Sequence, residues 1–253
     1  MGRGARIVIT LAIMALSAVC PVASLADDSG LLVEASVEKR LDKAKRASVG
    51  ANVEMRTRND FRTMDRVVLD VVGKYKVLSW LRFDAGYRLL IENNEEKVSY
   101  KADGDYNNWR PSYWGTRHRV IVSATASLKV RRVQFSLRER WQFTHRPSHA
   151  TTRYDFDNRE WEPTTVASKN SHVLRSRLQV EWNIPKSKFT PWVSAELFND
   201  SVLDKLRLQA GVDYTYKKRH TFTLSFRHQW VFEKDDSGED DTNLVGLGYK
   251  YKF

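Results

Sequence analysis

Apolar and polar residues alternate along most of the chain from residue 31 onward. In residues 220–233, for example, Phe222, Leu224 and Phe226 alternate with threonine, serine and arginine. Successive side chains of a β-strand point to opposite faces of the sheet, so this period of two predicts strands with one apolar and one polar face. A soluble β-sandwich alternates in the same way, so other features must decide what surrounds the apolar face.

Strand length and loop length favour a membrane barrel. The alternating segments are residues 31–41, 47–58, 65–77, 80–92, 116–130, 132–146, 171–183, 189–200, 205–217, 220–233 and 242–253. Several exceed the about five or six residues of an average strand and suit the roughly 9 to 11 that a tilted transmembrane strand needs. We therefore predict an all-β fold, a transmembrane up-and-down antiparallel β-barrel of about 10 to 12 strands. Because single-chain bacterial barrels have even strand counts, ten or twelve is favoured and residues 31–41 stay unplaced.

The connections between these segments alternate between short and long, as they do in barrels with tight periplasmic turns and free outer loops. Short connections fall near residues 42–46, 77–79, 130–132, 184–188 and 217–219, and long ones near 59–64, 93–115, 147–170, 199–204 and 234–241. Aromatic residues collect near both ends of the apolar face, at Tyr75, Trp80, Trp182, Phe189, Tyr214, Tyr216, Tyr249 and Tyr251, and at Trp141, Phe143, Trp230 and Phe232. This is the pattern of two interfacial girdles.

The first 26 residues have the three parts of a secretory signal. Arg3 and Arg6 precede an apolar run, and small residues lead to a cleavage site after Ala26. The run of about 13 residues is shorter than the roughly 20 of a membrane-spanning helix. A lipoprotein signal ending at Cys20 is the alternative, but Val19 is a poor fit before a lipidated cysteine. We read residues 1–26 as a cleaved signal and residues 27–253 as one barrel domain.

The chain is strongly basic, with 42 Lys and Arg against 31 Asp and Glu and a formal net charge of +11. Such an excess would suit a nucleic-acid-binding protein. Here the charges are spread over strand ends and one strand face, without a basic helix or a recognisable nucleic-acid motif. We therefore expect no nucleic-acid partner.

The polar strand face is expected to line the barrel lumen. Its charged residues are Arg88, Arg138, Arg140, Arg175, Arg177, Glu181, Glu196, Arg207, Asp213 and Arg227. They can form a cationic lumen that attracts anions, or a packed ladder of ion pairs that fills a narrow barrel. The packed ladder is favoured. Glu139 is a misfit, because parity places it on the apolar face beside Leu137 and Trp141 unless a bulge turns it inward.

Residues for catalysis or metal binding are sparse. The only nearby pairs of a nucleophile and a base are Ser171 with His172, and His145 with Ser148. Adjacent residues of a strand point to opposite faces of the sheet, so Ser171 and His172 are not expected to act together. His145 and His149 are the only close histidines, and the acidic residues 233–241 lack the spacing of a calcium loop. We expect no enzymatic activity, no metal and no cofactor.

The chain ends in alternating apolar residues and a terminal aromatic, with Tyr249, Tyr251 and Phe253 forming a candidate signal for the barrel-assembly machinery. Further motifs are VEKRL at 37–41, AGYR at 85–88, TRHR at 116–119, SLRERWQ at 136–142, LRSRL at 174–178, DKLR at 204–207 and VGLGYKYKF at 245–253. Together they resemble the domain-of-unknown-function family 2490, presumed outer-membrane barrels of Gram-negative bacteria. The resemblance implies the fold and the location, and carries over no functional residues.

The sequence thus predicts a monomeric barrel of the cell outer membrane, with outer-membrane lipid and the barrel-assembly machinery as partners. Three roles remain open: a structural or surface-interaction protein, a small channel for anionic solutes, and a lipid-acting enzyme. The first is favoured.

Overall fold

The computed structural model describes residues 26–200, 202–232 and 240–253. The predicted signal at residues 1–26, except Ala26, lies outside the described residues, as does most of the acidic run 233–241. The strands are β1 (Asp28–Arg40), β2 (Ala47–Arg58), β3 (Thr63–Lys76), β4 (Leu81–Asn94), β5 (Lys97–Tyr100), β6 (Tyr106–Arg110), β7 (Tyr113–Val130), β8 (Val133–Arg146), β9 (His149–Asp155), β10 (Glu160–Val166), β11 (Lys169–Trp182), β12 (Phe189–Asp200), β13 (Val202–Tyr216), β14 (His220–Val231) and β15 (Thr242–Lys252). Over these residues, no helix has the length and apolar character needed to cross a membrane.

Eleven of these strands form a closed barrel, in the order β1-β15-β14-β13-β12-β11-β8-β7-β4-β3-β2. Each alternating segment of the sequence corresponds to one of them, so the predicted all-β barrel is confirmed. The short connections lie at one end of the barrel, which we call the turn end, and the long ones lie at the other, the loop end.

The barrel has eleven strands, within the predicted range of about 10 to 12, but the expectation of an even count was wrong because the barrel closes with a parallel pair. β1 runs parallel to β15, in register from Asp28 opposite Thr242 to Glu38 opposite Lys252. All other neighbours in the barrel are antiparallel, and an odd count then requires one parallel seam. The unplaced residues 31–41 belong to this wall strand. Consequently β1 begins at the loop end, whereas the chain finishes at the turn end.

The two longest connections contain a second sheet that the sequence pattern missed. β5, β6, β9 and β10 form a four-stranded antiparallel sheet in the order β10-β9-β6-β5. Two residues separate each of these strands from the barrel strand that it continues, β4, β7, β8 or β11. These four barrel strands are neighbours in the same order, so the small sheet extends one part of the wall at the loop end.

The barrel buries polar residues and exposes apolar ones. Leu128, Val71 and Leu224 on its outer surface are 64%, 55% and 54% exposed. Asp84, Gln142 and Glu196 face the lumen and are buried. Such an inverted distribution is that of a barrel whose outer face meets an apolar environment.

Candidate functional site: a charged lumen

The barrel encloses a cavity of about 1570 Å³. Eight of the ten predicted lumen residues line it: Arg88, Arg138, Arg140, Arg175, Arg177, Glu196, Arg207 and Arg227. The remaining two, Glu181 and Asp213, lie on the same strand faces but nearer the turn end. Glu181 accepts a hydrogen bond from Gln179 at 2.6 Å, and Asp213 accepts one from the Trp192 indole at 3.2 Å.

Glu196 on β12 is the centre of the ion pairs in the lumen. Its two carboxylate oxygens lie 2.6 Å from Nη2 of Arg138 and 2.6 Å from Nη2 of Arg175, and Oε2 lies 3.5 Å from Nη1 of Arg207. The residue is only 2% exposed. One carboxylate therefore faces three guanidinium groups, and the positive charge around it is only partly compensated. The ion pairs around Glu196 correspond to the packed ladder that the sequence favours, but they leave an open cavity inside the barrel.

Arginines crowd together on β7, β8 and β11. We call Arg119, Arg138, Arg140, Arg175 and Arg177 the arginine wall. Arg140 stands directly opposite Arg175 in the strand register, and Arg138 stands opposite Arg177. Like charges in such positions repel each other.

Part of the arginine wall has no carboxylate partner. Over the described residues, Arg140 makes no ion pair and no hydrogen bond, and its Nε is buried without a partner. Arg119 donates to the Thr144 hydroxyl at 2.9 Å, and Arg177 donates to the Gln179 amide oxygen. The wall therefore keeps donors and positive charge available to the cavity.

Carboxylates lie on the opposite side of the lumen. Glu34 on β1 and Glu54 on β2 stand directly opposite each other in register, and both line the cavity. In the ring of strands, β1 and β2 are diametrically opposite β8 and β11. We call these two carboxylates the acidic wall. It faces the arginine wall, so an electric field acts across the lumen between them.

The cavity extends along one side of the barrel. At the turn end its lining includes Glu38, Lys74, Arg82 and Lys250, each within two residues of the end of its strand. Lys74 and Lys250 both contact a Glu38 oxygen at 2.7 Å. On the other side, networks around Gln179 and Asp213 occupy the turn end. The lining therefore reaches both ends of the barrel along β15 and β1–β4.

The misfit residue Glu139 lies on the outer face. β8 pairs with β7 and β11 in continuous register, so no bulge turns this residue inward, and that hypothesis was wrong. Instead, Glu139 accepts a hydrogen bond from the Ser176 hydroxyl at 2.6 Å. The small side chains opposite it, Ala124 and Ser176, leave room for the carboxylate.

The other chemical candidates are not assembled into a site. Ser171 lines the cavity, whereas His172 stacks on Trp141 at the outer face. His145 contacts Asn170 through Nδ1 at 2.7 Å, and His149 stacks on Tyr113. Within the described ranges, no group of three or more His, Cys, Asp or Glu is placed to hold a metal ion.

The C-terminal residues close the barrel at the turn end. The Tyr249 hydroxyl lies 2.9 Å from Nδ1 of His220, and the rings of Tyr251 and Phe253 meet edge to face. The Phe253 amide donates to the Glu38 carbonyl at 2.9 Å across the parallel seam. Its ring is 64% exposed.

Sequence reasoning missed several residues of the lumen. Arg119, Glu34 and Glu54 line the cavity and define its two charged walls. Their positions in the alternating pattern indicate that they face the lumen. Arg119 alternates with His118 and Val120, and Glu34 and Glu54 alternate with apolar neighbours. The pairing of β1 with β15 could not be read from that pattern.

Comparisons with known proteins identify a family without an assigned role. The family model described as "Protein of unknown function (DUF2490)" matches residues 30–240. No curated protein sequence matches the chain. A solved structure titled "NanC porin structure in rhombohedral crystal form" is similar, with 14% sequence identity and a TM-score of 0.40, covering 78% of this chain and 87% of that one.

Proposed function

The chain belongs to the DUF2490 family of proteins of unknown function, and we propose that it is an outer-membrane channel for anionic solutes. The observation that carries this proposal is the arginine wall, which faces a cavity of about 1570 Å³. Within this wall, Arg140 lacks any ion-pair or hydrogen-bond partner among the described residues. A purely structural ladder would pair these charges and close the space between them.

Membrane placement is supported by the outer surface. Every barrel strand presents at least one large exposed apolar residue outward. Exposed aromatic residues lie towards both ends, including Trp80, Phe189 and Phe253 at the turn end and Trp114 and Trp141 towards the loop end. The predicted signal and the terminal aromatic fit export and barrel assembly. We place the turn end in the periplasm and the loop end outside the cell, with the barrel as a monomer.

The charge of the lining favours anions. The cavity is lined by 21 basic and 16 acidic side chains, an excess of five positive charges. Apolar surroundings focus such a field into the lumen and raise the local anion concentration, and this effect weakens at high ionic strength. Guanidinium groups also bind carboxylate and phosphate through two parallel hydrogen bonds, which would favour organic anions with these groups.

The test is ion selectivity in planar lipid bilayers. We expect conductance steps with a reversal potential that shows anion preference across a salt gradient. Arg140→Gln should lower the preference for anions because it removes an unpaired charge from the wall, and Glu54→Gln should raise it. Arg132→Gln, in the turn between β7 and β8, is the matched control and should leave selectivity unchanged. Absence of conductance, or cation preference in the wild type, would refute the channel.

A structural or surface-interaction role is the second candidate. The ion pairs around Glu196 and those of Asp65 with Arg56 and Arg66 support it, because they stiffen the wall from inside. Electrically silent protein with intact heat-dependent mobility in detergent gels would favour this role. We propose no enzymatic activity, since Ser171 and His172 point to opposite faces.

A further inference from the structure

The sheet at the loop end carries a continuous group of aromatic rings, which we call the aromatic face: Tyr100, Tyr106, Trp109, Tyr154, Phe156 and Trp161. Each ring contacts the next. The centroid distances are 5.4 Å for Tyr100–Tyr106, 5.2 Å for Tyr106–Phe156, 5.2 Å for Phe156–Tyr154, 5.5 Å for Tyr154–Trp161 and 5.5 Å for Trp161–Trp109. The group spans all four strands of the small sheet.

The strand register separates an aromatic and a polar face. Trp109, Tyr154 and Trp161 stand opposite one another on neighbouring strands and so share one face. Lys97 stands opposite Arg110 on the other face, and both line the mouth of the cavity. The polar face is therefore turned towards the lumen, and the aromatic face is turned away from the barrel axis.

The aromatic face is open to its surroundings. Tyr100, Tyr106 and Trp161 are 60%, 56% and 52% exposed. A contiguous exposed patch of this kind marks a binding surface rather than a part of a core. Because its rings carry hydroxyl and indole groups, it combines flat apolar surfaces with hydrogen-bonding edges.

The aromatic face continues the apolar outer surface of the barrel. Its strands extend β4, β7, β8 and β11 beyond the outward-facing Trp114 and Trp141, which mark the loop-end girdle. With the loop end outside the cell, the aromatic face is turned towards the layer directly above the hydrocarbon core of the membrane. This layer contains the sugars of the outer-leaflet glycolipid. Acyl chains do not reach this level, and the lumen lies on the other side of the sheet.

Two cations of the small sheet and its loops are paired with carboxylates, Lys101 with Asp157 and Arg153 with Glu162. The Trp109 indole donates to Glu96 at 3.0 Å, so a carboxylate also lies beside the rings. The face therefore fits uncharged sugar rings better than phosphate groups, which bind where free cations gather. We propose that the aromatic face binds the neutral saccharide part of the lipopolysaccharide around the barrel. This inference rests on the proposed outer-membrane placement, and it is independent of conduction.

The test is calorimetric titration of the detergent-solubilised barrel with core oligosaccharide that has been released from lipopolysaccharide by mild acid and then dephosphorylated. Trp161→Ala should weaken binding by about tenfold, because it removes the exposed ring that contacts both Tyr154 and Trp109. Trp80→Ala is the matched control: its side chain is 53% exposed but lies at the turn end, and it should bind like the wild type. Tyr106→Leu is a second variant, at an exposed ring whose replacement should leave folding intact.

Several results would overturn the proposal. These are no binding of the oligosaccharide by the wild type, equal binding by Trp161→Ala and Tyr106→Leu, or equally tight binding of lipid A without core sugars. A dimer that forms in the wild type and is lost in Trp161→Ala would assign the face to a second copy instead. Conductance and ion selectivity of these variants should equal those of the wild type, so this proposal and the channel can fail separately.

Discussion

At the scale of single residues, the lumen is defined by which charges have partners. Glu196 neutralises part of the arginine wall, whereas Arg140 has no partner among the described residues. A buried carboxylate between guanidinium groups contributes mainly by preventing their mutual repulsion. Its removal and the removal of an unpaired arginine should therefore have opposite consequences for stability.

Glu196→Gln should destabilise the barrel by about 3 to 5 kcal/mol, the typical cost of leaving buried charges without their partner. The measurement is the free energy of unfolding from denaturant titration in detergent. Glu139→Gln is the matched control, because it removes the same charge from the outer face, where a carboxylate is unfavourable. This control should be neutral or slightly stabilising. Equal losses in the two variants would contradict the central role of Glu196.

At the scale of elements, the period of two identified all eleven barrel strands to within three residues at their starts. It missed β5, β6, β9 and β10, which are only four to seven residues long. Alternation over so few residues does not stand out from a polar loop, and the pairing of β6 with β9 joins two connections that are distant in sequence. Alternation is a local signal. It therefore identified eight residues of the lumen, but it could not show that the two charged walls lie on opposite sides of the barrel.

The hairpin between β9 and β10 provides a prediction of pH dependence. Hydrogen bonds from the backbone amides of Asn158 and Asp157 lower the pKa of Asp155 from its ordinary value of 3.8. A carboxyl with a lowered folded pKa stabilises the turn fully above 3.8, and this contribution is lost as pH falls through the lowered value. Hydrogen exchange of the hairpin amides should therefore stay constant from pH 8 to about pH 5, after correction for intrinsic rates, and protection should fall below about pH 4. Asp155→Asn should lack this acid-dependent step. The same step in that variant would assign it to another group.

At the scale of the whole molecule, assembly and folding make separate demands on the terminal strand. Phe253 contributes one backbone hydrogen bond across the seam, and its ring is mostly exposed, so the finished barrel loses little without it. We propose that the barrel-assembly machinery reads Tyr249, Tyr251 and Phe253 as an assembly signal.

Deletion of Phe253 should therefore lower the amount of heat-modifiable protein in the outer membrane, with unfolded chain accumulating in the periplasm or being degraded. Phe253→Tyr keeps a terminal aromatic and should assemble nearly normally. Gel mobility of fractionated membranes, with and without heating, measures both. An unchanged amount of folded protein after the deletion would show that the terminal aromatic is not read.

The parallel seam also sets the order of events in time. β1 is the first wall strand to be synthesised and β15 is the last, so the parallel seam joins two strands separated by more than 200 residues. Until β15 arrives, the outer edge of β1 has no neighbour, and unpaired edges are the places where strands aggregate. We therefore expect the outer edge of β1 to be the part of the wall that is open to aggregation for the longest time. We expect closure of the seam, rather than the formation of any one hairpin, to be the slow step of folding, because it joins the wall strands that are most distant in sequence.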